Sequence, residues 1–407
     1  MPRINIKDSY LYLVIIFSGA ALPLFREALG LVLLFLVGLL VFWKSLLNID
    51  RSIIAACFIW ICFSIAQILI IGKVNIFIWF TYVAKIIIGY LVFSYYGKTL
   101  IEKYVNIIYG LSLISLVFFC WQLLSYGTLE SFLSIFNLGG AFGAKNILIY
   151  NLFDDPKFRM VNAINCGFCY EPGPFGGFVA VAIMFLIGMG NSFCKYRRML
   201  MVLVLTLVTT QSSSAYICGL ILFAWGILGR LKNQRKRIVV FVAILGASII
   251  AFSTIPVLQE KITDEFMGIN RYEKVIAEYS QTSPNEDLSL GRFVAWQFDW
   301  ETFKNYPIFG MASDPDLHQL QVVFQNRQIS AINGLGKIFA FYGLFGALIF
   351  FLSIYRSGKQ YNLLFNLRGS WIFPALMLCQ GFAFSLIESP FYVMIWLIPF
   401  LIPDKIR

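Results

Sequence analysis

Long apolar runs separated by short polar stretches dominate the chain. Runs of about 17–25 apolar residues are typical of helices that cross a lipid bilayer. The pattern predicts such helices near residues 10–25, 28–43, 52–72, 75–95, 104–126, 172–194, 199–211, 214–229, 238–258, 330–354, 371–388 and 390–403. We therefore expect an all-α polytopic membrane protein with about 12 transmembrane helices (roughly 11–13), forming a single integral membrane domain over residues 1–407.

Composition agrees with this interpretation. Charged residues make up 13% of the 407 positions, and the mean hydropathy is +0.78. An ordinary soluble domain is about 25% charged, and a charge at the bilayer centre costs at least ~2.5 kcal/mol. The first apolar run ends in Pro23, Arg26 and Glu27 without a small-residue cleavage site, so we expect a retained span and no cleaved signal peptide.

The distribution of basic residues predicts the topology. The formal net charge is +11, but lysine and arginine cluster in every second connection, as in 195–198 and 230–237. The short connections on the other side contain only Arg26 and Lys73. By the positive-inside rule both termini are then cytoplasmic. Because topology accounts for the basic excess, it does not indicate a nucleic-acid partner.

Two long segments, 127–170 and 259–329, are expected on the outer side. Transporters usually have short loops and internal repeats, and no repeat between the halves is visible here. Loops on a rigid scaffold often carry function. In the second loop, Phe293, Trp296, Trp300 and Phe303 recur at helical spacing and predict an amphipathic helix. Packing or interfacial anchoring is one interpretation of its aromatic residues, and a stacking surface for sugar rings is the other.

The first candidates for chemistry are one acid and two arginines. Glu171 precedes Pro172, which suits the first turn of a helix. A carboxylate there could simply stabilise the helix dipole, by about 0.3–1 kcal/mol, or it could bind or deprotonate a hydroxyl. Arg159 and Arg292 could grip phosphate oxygens bidentately, or be solvated loop residues.

Further candidates are weaker. His318 is the sole histidine, close to the D-x-D of Asp314 and Asp316, which is weak support for a metal. Because no second ligand pair follows them, Cys166 and Cys169 do not indicate a metal site, although a local disulfide stays open. We therefore predict neither a metal nor a cofactor.

Polar residues within the apolar runs complete the candidates. Lys85 and Lys337 lie in predicted spans, where an ionisable residue is a functional hypothesis by default, although Lys337 could also snorkel to the interface. The run TTQSSSAY, residues 209–216, includes Gln211 and Ser213. It is either a re-entrant turn near a site or a polar hairpin.

Four ordered motifs make the chain resemble the bacterial O-antigen and capsule repeat-unit polymerases, which share a superfamily with the O-antigen ligases. They span about 159–346, and the hydropathy profile matches over nearly the whole chain. The motifs are Arg159 followed by FCYEPGPFGGF, the polar run TTQSSSAYI, GRFVAW followed by NYPIFGM, and NGLGKIFAFYGLFG. Many relatives, ligases especially, place a histidine before the motif asparagine, whereas Ile332 precedes Asn333 here. This difference and the Glu-Pro element favour the polymerase.

The resemblance implies a metal-independent glycosyltransferase with a GT-C-like bundle in the bacterial inner membrane and an active periplasmic face. It would transfer a glycan en bloc from undecaprenyl pyrophosphate to a new lipid-linked repeat unit. Arg159 and Arg292 would stabilise the leaving pyrophosphate, while Glu171, or else His318, would be the base. The expected substrate-binding residues are Lys85, Gln211, Ser213, Trp296, Asn333 and Lys337.

The partners implied by the resemblance are a repeat-unit flippase and a chain-length regulator. Two alternatives remain. An O-antigen ligase would join the same donor to lipid A-core. A non-enzymatic polysaccharide or lipid transporter would form no glycosidic bond.

Overall fold

Helices form most of the architecture in a computed structural model of the chain. The structure describes residues 5–73, 76–140, 143–152, 163–189, 193–228, 288–312, 314–324, 329–331, 333–365 and 369–403, together with the single positions 233, 235, 236, 239 and 246. Arg159 and the predicted span 238–258 lie outside the described residues, apart from two isolated positions of that span.

Ten described helices precede residue 229. They are α1 Ile6–Ser18, α2 Ala28–Val41, α3 Trp43–Leu46, α4 Arg51–Ile71, α5 Ile76–Tyr96, α6 Thr99–Leu124, α7 Tyr126–Ile135, α8 Pro172–Met189, α9 Phe193–Thr209 and α10 Ser213–Leu228. A 3-10 turn, Pro23–Phe25, connects α1 to α2.

Six more helices lie in the described residues from 288 onwards. They are α11 Arg292–Asn305, α12 Gln319–Phe324, α13 Gly334–Phe365, α14 Ile372–Ala383, α15 Pro390–Trp396 and α16 Ile398–Leu401. Strands β1 Lys145–Asn146 and β2 Asn151–Leu152 pair antiparallel, whereas β3 Leu288–Leu290 and β4 Ile329–Ala331 pair parallel.

Four of the described helices are long and apolar enough to cross a membrane, by length and composition. They are α4, α6, α8 and α13, and several shorter apolar helices accompany them. This architecture is that of a polytopic membrane protein. Several predicted spans differ from the structure in extent. The span at 10–25 is helical only to Ser18, and the one at 371–388 only to Ala383. The span at 390–403 is divided into α15 and α16 near Pro399, which has no N–H to donate.

Helix α8 lies at the centre of the bundle. Every residue from Gly173 to Leu186 is buried, and the helix contacts α6, α9, α10 and α14. A helix that is hydrophobic on all sides suits a bundle interior or contact with lipid, and here neighbouring helices enclose it. The glycines permit close packing, because a Cβ at Gly176 would overlap the Ala215 side chain. The central position of α8 fixes the residues that precede it, including Glu171.

The first long loop is more structured than its sequence suggested. It contains helix α7 and the β1–β2 hairpin, which enclose a small cluster around Leu129, Leu133, Tyr150 and Leu152. The loop returns to the bundle through Asn165, whose Nδ2 donates to Thr209 Oγ1 at 3.0 Å. This contact joins the segment before Glu171 to the end of α9.

Helix α13 is bent at Gly343, where φ is 61° and ψ is −163°. Positive φ is accessible to glycine without a steric penalty. The bend interrupts the hydrogen bonds within the helix, so carbonyl groups just before it accept hydrogen bonds from another segment. Met311 and Ala312 donate their N–H groups to the carbonyls of Ala340 and Phe341, at 3.0 and 3.1 Å. Two of the sequence motifs, NYPIFGM and YGLFG, therefore dock on one another.

Candidate functional site

Glu171 is held at the mouth of the bundle by the end of α1. The Tyr170 N–H donates to Gly19 O at 3.0 Å, and Ala20 and Cys169 form an isolated antiparallel bridge. The same turn positions Arg26, whose Nε donates to Ala20 O at 3.0 Å and whose guanidinium lies 4.4 Å from the centre of the Tyr170 ring. An acid and an arginine are thereby brought to one edge of the bundle.

Arg292 approaches the same region from the second long loop. It is the first residue of α11, and its carbonyl accepts a hydrogen bond from Asn333 Nδ2 at 3.1 Å. Asn333 Oδ1 in turn accepts the N–H of Gly336 at 2.9 Å, as a helix-capping side chain does. Asn333 thus both begins α13 and fixes the start of α11.

A small polar cradle surrounds the position above Gly173. A Cβ built on Gly173 would lie 3.5 Å from Arg292 Nη2, 3.5 Å from Ser212 Oγ and 3.6 Å from Ser214 Oγ. The two serine hydroxyls are 3.0 Å apart. Gly173 is in the first turn of α8, where the helix dipole favours an anion. Pro172 and Pro174 have no N–H, so Gly173 and Phe175 supply the backbone donors of this turn. Hydroxyls, a guanidinium and a helix N-terminus are all suited to phosphate oxygens.

The charges beside this cradle are not neutralised within the described part of the chain. There, neither Glu171 nor the Arg292 guanidinium has an ion-pair partner within 4 Å. Burial raises the pKa of Glu171 above its ordinary value, while the positive charges of Arg292 and Arg26 act in the opposite direction. A carboxyl with a raised pKa is better suited to accept a proton near neutral pH than an ordinary surface glutamate.

A cavity of about 550 Å³ opens next to these residues. The ends of α1, α2 and α13, the first part of α5 and the connection between α14 and α15 form its walls. Ionisable, hydroxyl and aromatic side chains line it together, including Arg26, Lys85, Lys337, Glu388, Tyr82, Tyr342 and Phe384. Its size and mixed lining are typical of small-molecule binding sites.

Two of the predicted lysines, Lys85 and Lys337, face this cavity. Lys337 Nζ lies 2.6 Å from Glu388 Oε1. Lys85 is only 7% exposed, and its ammonium lies 4.6 Å from the centre of the Tyr82 ring. Within the described residues, Lys85 makes no hydrogen bond or ion pair. Both lysines therefore line one cavity, and their role in substrate binding stays a prediction.

His318 is not among the residues that line the cavity, although its ring centre lies 6.0 Å from that of Phe341, which is. Its Nε2 is 2.8 Å from Asp299 Oδ1, and its Nδ1 accepts the Leu320 N–H at 3.2 Å. Burial raises the pKa of Asp299, although its hydrogen bond to His318 opposes this. A Cβ at Gly336 would overlap the Asp299 carboxylate, so the Asp299–His318 pair, called the dyad below, packs against the first turn of α13. Both ring nitrogens of His318 already have protein partners.

Three other predicted site residues, Gln211, Ser213 and Trp296, lie outside the cavity lining. Gln211 Nε2 donates to Ala163 O at 3.0 Å, and Ser213 begins α10 between the two serines that face Gly173. Trp296 stacks on Trp300, with ring centres 6.1 Å apart, and meets Phe339 of α13 edge-on. The aromatic side chains of α11 therefore pack on the bundle. Arg159 is not among the described residues.

The D-x-D pair and the CGFC cysteines also have definite surroundings. Lys73 Nζ lies 2.8 Å from Asp314 Oδ2 and 3.7 Å from Asp316 Oδ2, so both carboxylates face a lysine. In the described part of the chain, no group of three or more His, Cys, Asp or Glu side chains is placed to hold a metal. Cys166 and Cys169 are both free thiols and fully buried.

Comparison with known families identifies the segment that carries much of this site. Residues 198–351 match the family model named Wzy_C and described as O-Antigen ligase. This match supports membership of the O-antigen polymerase/ligase superfamily. Members of the Wzy_C family are glycosyltransferase-like enzymes, and the match suggests O-antigen polymerase or ligase activity on lipid-linked polysaccharide. No curated protein matches the chain.

The Wzy_C segment and the rest of the chain both contribute to the site. Ser212, Ser214, Arg292 and Asn333 fall within residues 198–351. The part of the chain outside that segment supplies other side chains of the site, namely Arg26, Lys85, Glu171 and Glu388. The cradle above Gly173 and the cavity therefore arise where the matched segment packs on the remaining helices.

Sequence reasoning missed several of these residues. Arg26 was considered only for topology, and Glu388 was not singled out although it is an acid within a predicted apolar span, which is a functional signal in itself. Ser212 and Ser214 belong to the polar run, but the sequence alone did not show which serines face Arg292.

Proposed function

We propose that the chain is a glycosyltransferase that polymerises oligosaccharide repeat units linked to undecaprenyl pyrophosphate. In this proposal it transfers the growing chain en bloc to a new lipid-linked repeat, producing O-antigen or capsular polysaccharide. It acts without a metal, at the periplasmic face of the bacterial inner membrane, with both termini in the cytoplasm. A repeat-unit flippase would supply the substrate, and a chain-length regulator would be a further partner.

The observation that carries the proposal is the position of the Arg292 guanidinium beside Ser212, Ser214 and the first turn of α8. Cleavage of the bond between the donor sugar and pyrophosphate leaves negative charge on the pyrophosphate. Preorganised donors at that charge lower the barrier, and removal of one such donor costs about 2.7–4 kcal/mol in comparable sites. Arg159, predicted as a second cation, would add to this stabilisation.

Glu171 is the proposed base. The acceptor hydroxyl oxygen bonds to the anomeric carbon of the donor sugar, the bond from that carbon to the pyrophosphate oxygen breaks, and the hydroxyl proton passes to Glu171. The raised pKa of Glu171 supports this role. His318 ranks second because Asp299 and the Leu320 N–H occupy both of its ring nitrogens.

The O-antigen ligase is the second candidate, because the family model that matches the chain is described as O-Antigen ligase. A ligase would use the same donor but a lipid A-core acceptor. The two enzymes therefore differ in whether the lipid-linked repeat unit alone is sufficient for bond formation.

The test is reconstitution of the purified full-length protein with lipid-linked single repeat units as the sole substrate, followed by gel analysis of the products. A ladder of longer chains on the lipid carrier supports the polymerase. Products that form only after lipid A-core is added would refute the polymerase and support the ligase. The absence of any new glycosidic bond in either mixture would oppose both enzymes.

Variants examine the proposed roles in the same assay. We expect Arg292→Ala to slow chain growth by about 10²–10³-fold, as removal of an oxyanion donor does. Arg356→Ala is the matched control, because Arg356 lies on α13 against the Phe400 ring, 5.6 Å from its centre, and does not line the cavity. Equal rates for the two variants would remove Arg292 from the mechanism.

A further inference from the structure

The cavity beside the cradle contains a buried cation that the proposed chemistry does not use. Lys85 lies nine residues from the start of α5, about 14 Å along the helix at 1.5 Å per residue. It is 7% exposed and points into the cavity. No acceptor within the described residues is at hydrogen-bond distance from it. The charge of Glu388 acts on Lys85 without a direct contact. An ammonium group without a direct partner is costly to bury, so an anion bound there would be favoured.

The neighbouring charges limit which anion fits. The cavity lining includes Arg26, Lys85 and Lys337 against Glu27 and Glu388, an excess of one positive charge. Lys337 is already paired with Glu388 at 2.6 Å. The carboxylate of Glu388, whose charge acts on Lys85, would repel a multiply charged group such as a diphosphate. Because the charge of Arg26 interacts with that of Glu171, Lys85 is, among the described lining residues, the cation left for a ligand with a single negative charge.

The remaining lining is suited to a sugar ring. Tyr82 and Tyr342 share a hydrogen bond through their hydroxyl oxygens, and Ser385 and Ser389 add further hydroxyls. Aromatic faces come from Tyr170, Phe341 and Phe384. Hydroxyl groups can pair with sugar hydroxyls, and aromatic rings can cover the apolar face of a sugar.

We propose that this cavity is a subsite for a sugar unit that carries a carboxylate, with Lys85 pairing the carboxylate. The inference rests on the proposed function, because it assigns to the polymerase a glycan that contains an acidic sugar. Lys85 would act in substrate specificity and not in bond formation. The repeat unit would then contain a uronic acid or another sugar with one carboxylate.

Binding to the purified full-length protein tests the inference without requiring catalysis. The probes are methyl glucuronide, its uncharged methyl ester, methyl glucoside and inorganic pyrophosphate, with dissociation constants measured by saturation-transfer NMR titration. We expect the wild-type protein to bind methyl glucuronide about tenfold or more tightly than either neutral probe, since a hydrogen bond to a charged group contributes that much.

Two variants and one control examine the role of Lys85. Lys85→Met should abolish the preference for the glucuronide. Glu388→Gln should increase it, because the substitution removes a repelling carboxylate. Lys359→Met is the control, since Lys359 also lies over a tyrosine ring, 4.7 Å from the centre of Tyr355, but is absent from the cavity lining. This control should retain the wild-type preference.

Three outcomes would overturn the inference. In the first, the wild-type protein binds methyl glucuronide and its methyl ester equally well. In the second, the preference for the glucuronide persists in Lys85→Met. In the third, Lys85→Met weakens the binding of pyrophosphate but not that of the glucuronide. If Lys85→Met does not fold, the wild-type comparison and Glu388→Gln still decide the question. A protein that binds the glucuronide through Lys85 but forms no glycosidic bond would refute the proposed function alone.

Discussion

Addition of a single methyl group at Gly173 is the sharpest perturbation of the proposed phosphate cradle. In Gly173→Ala the new Cβ would lie 3.5 Å from Arg292 Nη2, 3.5 Å from Ser212 Oγ and 3.6 Å from Ser214 Oγ. These are ordinary van der Waals distances, so the backbone need not move. Within a helix, alanine is favoured over glycine by about 1 kcal/mol, but Pro174 disfavours the helical conformation of a preceding residue that has a Cβ. Because the two effects oppose one another, we expect the stability of the variant to be close to that of the wild-type protein.

The same methyl group occupies the space that we assign to a phosphate oxygen. An oxygen displaced from the cradle loses at least one hydrogen bond to a charged donor, which contributes about 1.5–3 kcal/mol. A loss of that size in the transition state lowers kcat/KM by about 10- to 150-fold. The assay is the initial rate of chain extension on lipid-linked repeat units, with thermal unfolding followed in parallel.

Gly110→Ala in α6 and Gly226→Ala in α10 are the matched controls, because a Cβ at either position would meet no heavy atom within 4 Å. Both should retain stability and rate. A folded Gly173→Ala protein with the wild-type rate would refute the idea that an anion binds above Gly173. A strong loss of stability would refute the steric argument instead.

Three further predictions concern the acid, the dyad and the proposed absence of a metal. Because Glu171 must be deprotonated to act as a base, kcat/KM should fall as the pH decreases through the raised pKa of Glu171. Arg26→Ala removes a charge that lowers this pKa, so it should move the fall in kcat/KM to higher pH. A pH profile that does not move would oppose the role of Glu171 as the base. Asp299→Ala should lower the free energy of unfolding by about 1.5–3 kcal/mol, because His318 loses its partner. Glu301→Ala, which breaks the more exposed Lys304–Glu301 pair, should lower it by about 0.5 kcal/mol or less. Both are measured by chemical denaturation, and equal losses would contradict the stabilising role of the Asp299–His318 pair. A chelator should leave the rate of chain extension unchanged, and a loss that Mg²⁺ or Mn²⁺ restores would show metal dependence.

The helix that follows Glu171 illustrates what local sequence predicts well. The apolar run that begins at Pro172 is continuous and uncharged, and the structure makes it the buried centre of the bundle. The amphipathic spacing of Phe293, Trp296, Trp300 and Phe303 likewise predicted a helix, which is α11. Periodicity and hydropathy are local properties, so both features could be inferred without knowledge of any partner.

The bend in α13 and the contents of the first long loop were not predicted. The stretch GLGKIFAFYGLFG reads as a continuous apolar helix, but the carbonyls of Ala340 and Phe341 accept N–H groups from Met311 and Ala312. That alternative partner becomes visible only when the second loop docks on the helix. Helix α7 and the β1–β2 hairpin similarly depend on a small core of their own.

The sequence by itself determined the membrane class, the approximate positions of most helices and the motifs that carry the superfamily resemblance. Tertiary structure decided which side chains meet. Arg26, Lys85, Lys337 and Glu388 share one cavity, and Arg292 joins Ser212 and Ser214 above Gly173. These residues are tens to hundreds of positions apart along the chain. The forces that bring them together are helix packing and interhelical hydrogen bonds, which depend on distant contacts and leave no signal in a local pattern.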